Sequence, residues 1–378
     1  MEIKNIKFIN YFIDNIKNLS IKNKENLNPF LNFFYNELQE SINYIDKKKN
    51  EIINKNTIPK NFNIINNTKF ISDKIKNYIN NNTKIYYTFS LIILSTKVRI
   101  NFAFYNKNDK EEIQNYLYLI LIWLYIGIKY KKNNCSDILN IYLFLTPFEK
   151  RISNSKILGP KNCNSGYSYA CTLNNSICVF RKEELVKVVI HETFHALGLD
   201  FAYLNIPKIK KKFKKCFNIN SNFNINESYA ETWATIINTL LFCYFKLNKL
   251  NKINKKIFLD NSLIFLNLEK NFSVMQTIKI LNNNNIEYCD IISQKKKNIY
   301  NEKTNVFAYY ILKSILLINL SDFLLICKNH NYFNINNISK FTDLILKLYN
   351  CDDVINSYKL FQNNKIIYNK NLKMTICE

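Results

Sequence analysis

The stretch HETFHALGLDF, residues 191–201, contains two of the only three histidines in the chain. His191 and His195 stand four residues apart around Glu192. On an α-helix this spacing puts both imidazoles on one face, about 6 Å apart along the axis, so they can aim at one ion. Imidazole nitrogen is a favoured zinc donor, and a catalytic zinc takes three protein ligands plus a water or substrate. Glu192 lies about 100° further round the helix, too far to share the ion comfortably. It is within reach of a water held there, which is the position of a general base. Without a metal, the two histidines are simply core or surface residues. In a chain this poor in histidine the pattern arises by accident on the order of once in a thousand sequences. Val188, Val189, Phe194 and Leu197 supply apolar residues for the remaining faces of the helix.

Three carboxylates compete for the third ligand position: Asp200, Glu227 and Glu231. Asp200 follows Gly198 closely and has an alternative role as a helix C-terminal cap or as a hydrogen-bond acceptor behind a ligating histidine. Glu227 and Glu231 sit four apart in NESYAE (226–231), so they point together from one helix face. Otherwise they are two acids on a solvated face. Cys163, Cys171 and Cys178 lie nearby in sequence, but their spacings of eight and seven residues fit no common zinc ribbon or knuckle.

The elements that must hold these residues are readable from pattern. Residues 84–95 and 97–106 are rich in β-branched and aromatic side chains and predict strands. NDKEEIQNYLYLILIWLYIGIKY predicts a helix, acidic at its start and basic at its end. Its apolar run, Tyr116 to Ile128, is 13 residues long. A membrane span needs roughly 18 to 20, so a buried core helix is expected. Residues 137–146 and 176–180 predict further strands. The loop between them holds two of the chain's four glycines, Gly159 and Gly166, which points to special backbone geometry. RKEELVKVVIHETFHAL (181–197) predicts the histidine helix, with Glu183 and Glu184 in its first turn and Gly198 at its C-cap. Residues 226–245 predict the helix carrying Glu227 and Glu231. Residues 1–80 read as amphipathic helices and 251–378 as mainly helical, with 304–328 the strongest helical stretch. The asparagine run 283–286 reads as loop, and no internal repeat is present.

The chain has 378 residues, is 47% hydrophobic and 15% aromatic, and carries a net charge of +24. That is enough apolar material for a sizeable core. The charge raises the prospect of weak nucleic-acid association. The lysines are scattered among Asn, Ile, Tyr and Phe, however, a skew that AT-rich coding produces on solvated faces. The ten cysteines form no CxxC pair, and the first residues lack an uninterrupted apolar signal core. Reduced thiols and an intracellular location, cytoplasmic or in a virion, not secreted, are therefore expected. No segment argues for a membrane span, and oligomeric state is not legible.

The order strand, strand, helix, strand, strand, HExxH helix, Glu helix over residues 84–245 resembles the gluzincins, the thermolysin-like and neprilysin-like metallopeptidases. Their downstream helix carries N-E-x-x-S-D or E-x-x-A-D. NESYAE is similar, with Glu rather than Asp at the end and Glu227 32 positions after His195. The metzincin pattern fails, because Phe201 stands where its third ligand would be and Asp200 falls one residue short. Residues 164–201 also resemble uncharacterised metallopeptidase-like proteins of large DNA viruses.

The gluzincin resemblance implies an α+β fold, with a zincin-like core (a mixed sheet packed on the active-site helix) over 81–250 between helical regions 1–80 and 251–378. It implies Zn2+ on His191, His195 and Glu227, Glu231 orienting a histidine, and Glu192 as general base in peptide-bond hydrolysis. It also implies that 176–180 is the edge strand facing an extended peptide or protein substrate. A Tyr or His oxyanion donor is implied too. His330, Tyr229, Tyr309 and Tyr310 are available, each equally explicable as ordinary packing, and the role stays unassigned. Two other classes remain open: a zinc-fold structural or virion protein without turnover, and a basic nucleic-acid-binding protein.

Overall fold

The computed structural model describes residues 21–57, 62–66, 68–105, 110–201, 207–293, 299–328, 331–335, 337–362 and 369–378. The fold is α+β, with one six-stranded mixed sheet. The chain divides into two compact units, one of residues 34–150 and 164–203, the other of 1–33, 151–163 and 204–378.

The first unit holds the sheet. Its elements are the helix α1 (Asn28–Lys48, from residue 34 on), β1 (Ile53–Thr57), α2 (Asp73–Asn82), β2 (Ile85–Ile93), β3 (Thr96–Phe104), α3 (Lys110–Lys129), β4 (Ile138–Phe144), β5 (Gly166–Ser168), β6 (Asn174–Val179) and α4 (Leu185–Ala196). The strand order is β1-β2-β3-β4-β6-β5. β2 and β3 form an antiparallel hairpin running from Ile85↔Phe104 to Ile93↔Thr96. α3 then crosses over so that β4 joins β3 in parallel, and β6 joins β4 in parallel. β5 closes the sheet antiparallel to β6.

The segment 176–180 is therefore not an edge. β6 lies between β4 and β5, and the edge at that end is the three-residue β5. Ile177, Cys178 and Val179 are consecutive and all buried. A continuous apolar run is how a strand covered on both faces reads. At the other end, β1 (INKNT) escaped prediction because it has a single apolar residue. It is a strand because β2 offers an unpaired edge, with which it pairs from Ile53↔Ser90 to Thr57↔Tyr86.

α3 is the core helix that the apolar run predicts, with Glu111 and Glu112 in its first turn and Lys129 in its last. The residues Ile120 to Ile126 are all buried. Its Trp123 stacks on Phe194 of α4, with ring centroids 5.7 Å apart and planes 9° apart. The indole N–H donates to Thr193 Oγ1 at 2.6 Å. Gly127 is what allows the helices this close, since a Cβ there would stand 2.9 Å from Leu197 Cδ1.

α4 starts later than its sequence suggests. Glu184 is the N-cap, in the left-handed region at φ 59°, and the first turn contains no acid. The cause is Lys150, whose ammonium is buried and pairs with the equally buried Glu184 carboxylate. A buried cation without a partner costs several kcal/mol, so Glu184 turns inward to meet it. Glu183 accepts from the Lys150 backbone N–H at 2.7 Å.

A disulfide joins Cys135 to Cys171, against the expectation of reduced thiols throughout. Nothing in the spacing of ten cysteines singles out this pair, which the parallel pairing of β4 and β6 brings together just before each strand begins. The other eight cysteines form no disulfide among the described residues.

The second unit is helical: α5 (Pro207–Cys216), α6 (Ile225–Lys249), α7 (Lys255–Asn283), a π-helix (Phe307–Leu312), α8 (Lys313–Ile318), α9 (Leu320–Cys327), α10 (Ile338–Leu348) and α11 (Asp352–Gln362). The stretch 304–328 is not one helix. It opens as the π-helix and bends by 92° between Ile318 and Leu320. Among the described residues no single helix is long and apolar enough to cross a membrane.

The cysteine assignment has a direct check. In denaturant without reductant, eight thiols should titrate, and reduction should release two more, from Cys135 and Cys171. The double variant Cys135→Ser, Cys171→Ser should lose about 2–4 kcal/mol in chemical unfolding, as expected for closing a loop of a few tens of residues.

Candidate metal centre

Every residue of α4, Leu185 to Ala196, is buried, including Lys187, His191, Glu192, Thr193 and His195. A polar group in such a setting needs a partner or it destabilises the fold. Thr193 is held by Trp123 and donates to Ile190 O at 2.7 Å. The face left over carries the two histidines.

Their positions are fixed at the C-terminal end of the helix. Gly198 adopts φ +65°, and a Cβ there would come within 2.8 Å of Cys135 Sγ. The Gly198 N–H donates back to His195 O, and the Leu199 N–H to Phe194 O. This is the reversal that ends many helices at glycine. The remaining end carbonyls are met from the disulfide-linked segments. Cys171 N–H donates to His195 O at 3.0 Å, and Ser136 Oγ to Ala196 O at 2.7 Å. Asn175 Nδ2 also donates to Ala196 O, and Lys132 N–H to Leu197 O.

The reversal brings Asp200 beneath His195. Its Oδ2 lies 2.6 Å from His195 Nδ1. A carboxylate there keeps the proton on Nδ1 and leaves Nε2 as a lone-pair donor. Asp200 is thus the acceptor behind a histidine, one of the three roles open to it in the sequence.

The Nε2 atoms of His195 and His191 are 3.2 Å apart, with the ring planes at 81°. Two nitrogens bound to one zinc at 2.0–2.1 Å with tetrahedral angles stand about 3.3 Å apart, so the observed separation fits a shared ion. Glu227, half-buried near the start of α6, completes a group. One ligand atom from each of His191, His195 and Glu227 lies within 4.8 Å of the others. Two imidazoles and a carboxylate are a donor set suited to a divalent transition metal. The group can hold a metal ion.

Glu231, one turn after Glu227, is buried, and its Oε1 lies 3.7 Å from Lys313 Nζ. No cysteine belongs to the group. Cys171 is in the disulfide, and burial, with the Glu192 carboxylate nearby, pushes the Cys178 thiol well above its ordinary pKa. A neutral thiol is a poor ligand.

Glu192 is 6% exposed and accepts from Ser168 Oγ at 2.7 Å. Of the possible oxyanion donors, Tyr229 is buried and donates to Phe333 O, and Tyr310 is buried and donates to Leu372 O. Both hydroxyls are engaged in packing. Tyr309 is half-buried, and His330 lies outside the described residues.

No family model, no curated protein and no solved structure matches this chain.

The Asp200 contact gives a prediction. Asp200→Ala should keep the fold and lower metal affinity about 10- to 100-fold, the usual effect of removing an acceptor behind a ligating histidine. Competition with a chromophoric chelator reads this directly.

Proposed function

We propose that this protein is a zinc-dependent metallopeptidase, with His191, His195 and Glu227 as the metal ligands and Glu192 as the general base. The observation that carries the reading is the convergence of the two imidazole Nε2 atoms at 3.2 Å beside a buried glutamate. A structural zinc site is normally closed by four protein ligands, whereas three leave a position open for chemistry. A metal bound here supplies Lewis acidity, polarising a carbonyl and lowering the pKa of water to about 7.

The chain's own residues do the rest. Asp200 holds the His195 ring in the tautomer that presents Nε2. Glu192 takes a proton from the attacking water and returns it to the departing amine, so the carboxylate is regenerated in each cycle. Burial makes this base effective, since few waters compete for its oxygens. The gluzincin resemblance of NESYAE supports Glu227 as third ligand and peptides as substrates.

Glu192→Gln is the test, because it preserves shape and hydrogen bonding while removing the base. It should retain the metal and lose about 10²- to 10⁴-fold in kcat/KM on a peptide the wild type cleaves. Unchanged turnover would remove Glu192 from the mechanism. A wild type that binds zinc but cleaves no member of a peptide library would favour a metal-bound scaffold.

A further inference from the structure

We propose that Gly166 and Ser168 of the edge strand β5 are positioning residues that fix the Glu192 carboxylate. The inference rests on Glu192 being the general base. Alternate residues of a strand face the same side. Gly166 and Ser168 thus share the side of β5 that meets α4. Tyr167 between them packs into an apolar cluster with Phe62, Ile65 and Phe144.

Gly166 is needed for space. The loop around it suggested special backbone angles, but the constraint is the missing side chain. A Cβ would stand 2.9 Å from Val188 Cγ1, and 3.1 Å from both Cys178 O and Glu192 Cγ. Two of these atoms belong to α4 and the third to the neighbouring strand, so none can retreat without moving the core. Without that Cβ, β5 lies directly against the stem of Glu192.

That closeness places Ser168 Oγ 2.7 Å from Glu192 Oε2 and 3.1 Å from Glu192 O. A hydroxyl has one proton to donate, and the shorter, charge-assisted contact is to the carboxylate. One oxygen of Glu192 is then fixed by an incoming hydrogen bond. A free glutamate would spread over several rotamers. This one is held by a hydroxyl at one end and a glycine cradle along its stem.

The experiment compares metal-loaded wild type with Ser168→Ala, Ser168→Thr and Gly166→Ala. Ser168→Ala should retain its metal and its thermal stability within a few degrees, while its crystal structure shows the Glu192 carboxylate rotated away from β5. On a peptide that the wild type cleaves, kcat should fall about tenfold, the size of one hydrogen bond to a charged group, with KM unchanged. Ser168→Thr, which keeps the hydroxyl, should restore most of that loss, and Gly166→Ala should reproduce it. A Glu192 carboxylate that stays in place in Ser168→Ala, or a kcat within twofold of wild type, overturns the proposal. If the wild type cleaves nothing, the peptidase reading fails separately, and the carboxylate position in the two crystal structures alone decides this one.

Discussion

The sheet-bearing unit is organised around one constraint: α4 is buried along its whole length yet carries polar side chains and ends beneath the protein surface. A buried helix leaves its last carbonyls without intrahelical partners, and each must be met from elsewhere. The Gly198 reversal, the backbone N–H groups of Cys171 and Lys132 and the side chains of Ser136 and Asn175 meet them. The same reversal that satisfies the backbone delivers Asp200 to His195. Capping the helix and orienting a metal ligand are therefore one structural event. Trp123 and Gly127 of α3 clamp the opposite side, so α4 is held against rotation about its axis.

The other unit shows a different use of buried polarity. α7 buries Glu269, Gln276 and Lys279 along one side. They hold an extended segment, residues 369–378, by its backbone. Glu269 accepts from the N–H groups of Ile376 and Cys377, Gln276 donates to Lys373 O, and Lys279 to Asn371 O. Lys313 donates to Met374 O at 2.9 Å and lies 3.7 Å from Glu231. A chain lying along a helix needs donors and acceptors at helical spacing, which accounts for polar residues where an apolar stripe would otherwise run. Burial brings the Lys279 pKa down to about 7.

Much of this was legible in the sequence where one signal dominated. The hairpin β2–β3, the helix α3, the strand β4 and the histidine helix follow from dense apolar runs bounded by recognisable start and stop residues. The pair His191 and His195 was legible because histidine is so scarce here. The missing parts depend on contacts between residues far apart in sequence. β1 exists only by pairing with β2, and the place of β6 inside the sheet depends on β5. The inward turn of Glu184 answers Lys150, 34 residues away. The disulfide pairs cysteines 36 residues apart whose spacing follows no motif. Ser168 had no local signal at all. Gly166 did, as a glycine in a chain with few, but the reason for it was room for Glu192 rather than backbone angle. Asp200 was visible as a candidate, and its role was decided by where Gly198 sends the chain.

The central claim is that His191, His195 and Glu227 hold one metal ion. Elemental analysis of protein purified without added metal or a metal-binding tag tests it most directly. The account predicts one tightly held zinc per chain in the wild type, and its loss in His195→Ala with the fold intact. Protein that contains no zinc and takes up none on reconstitution would contradict it.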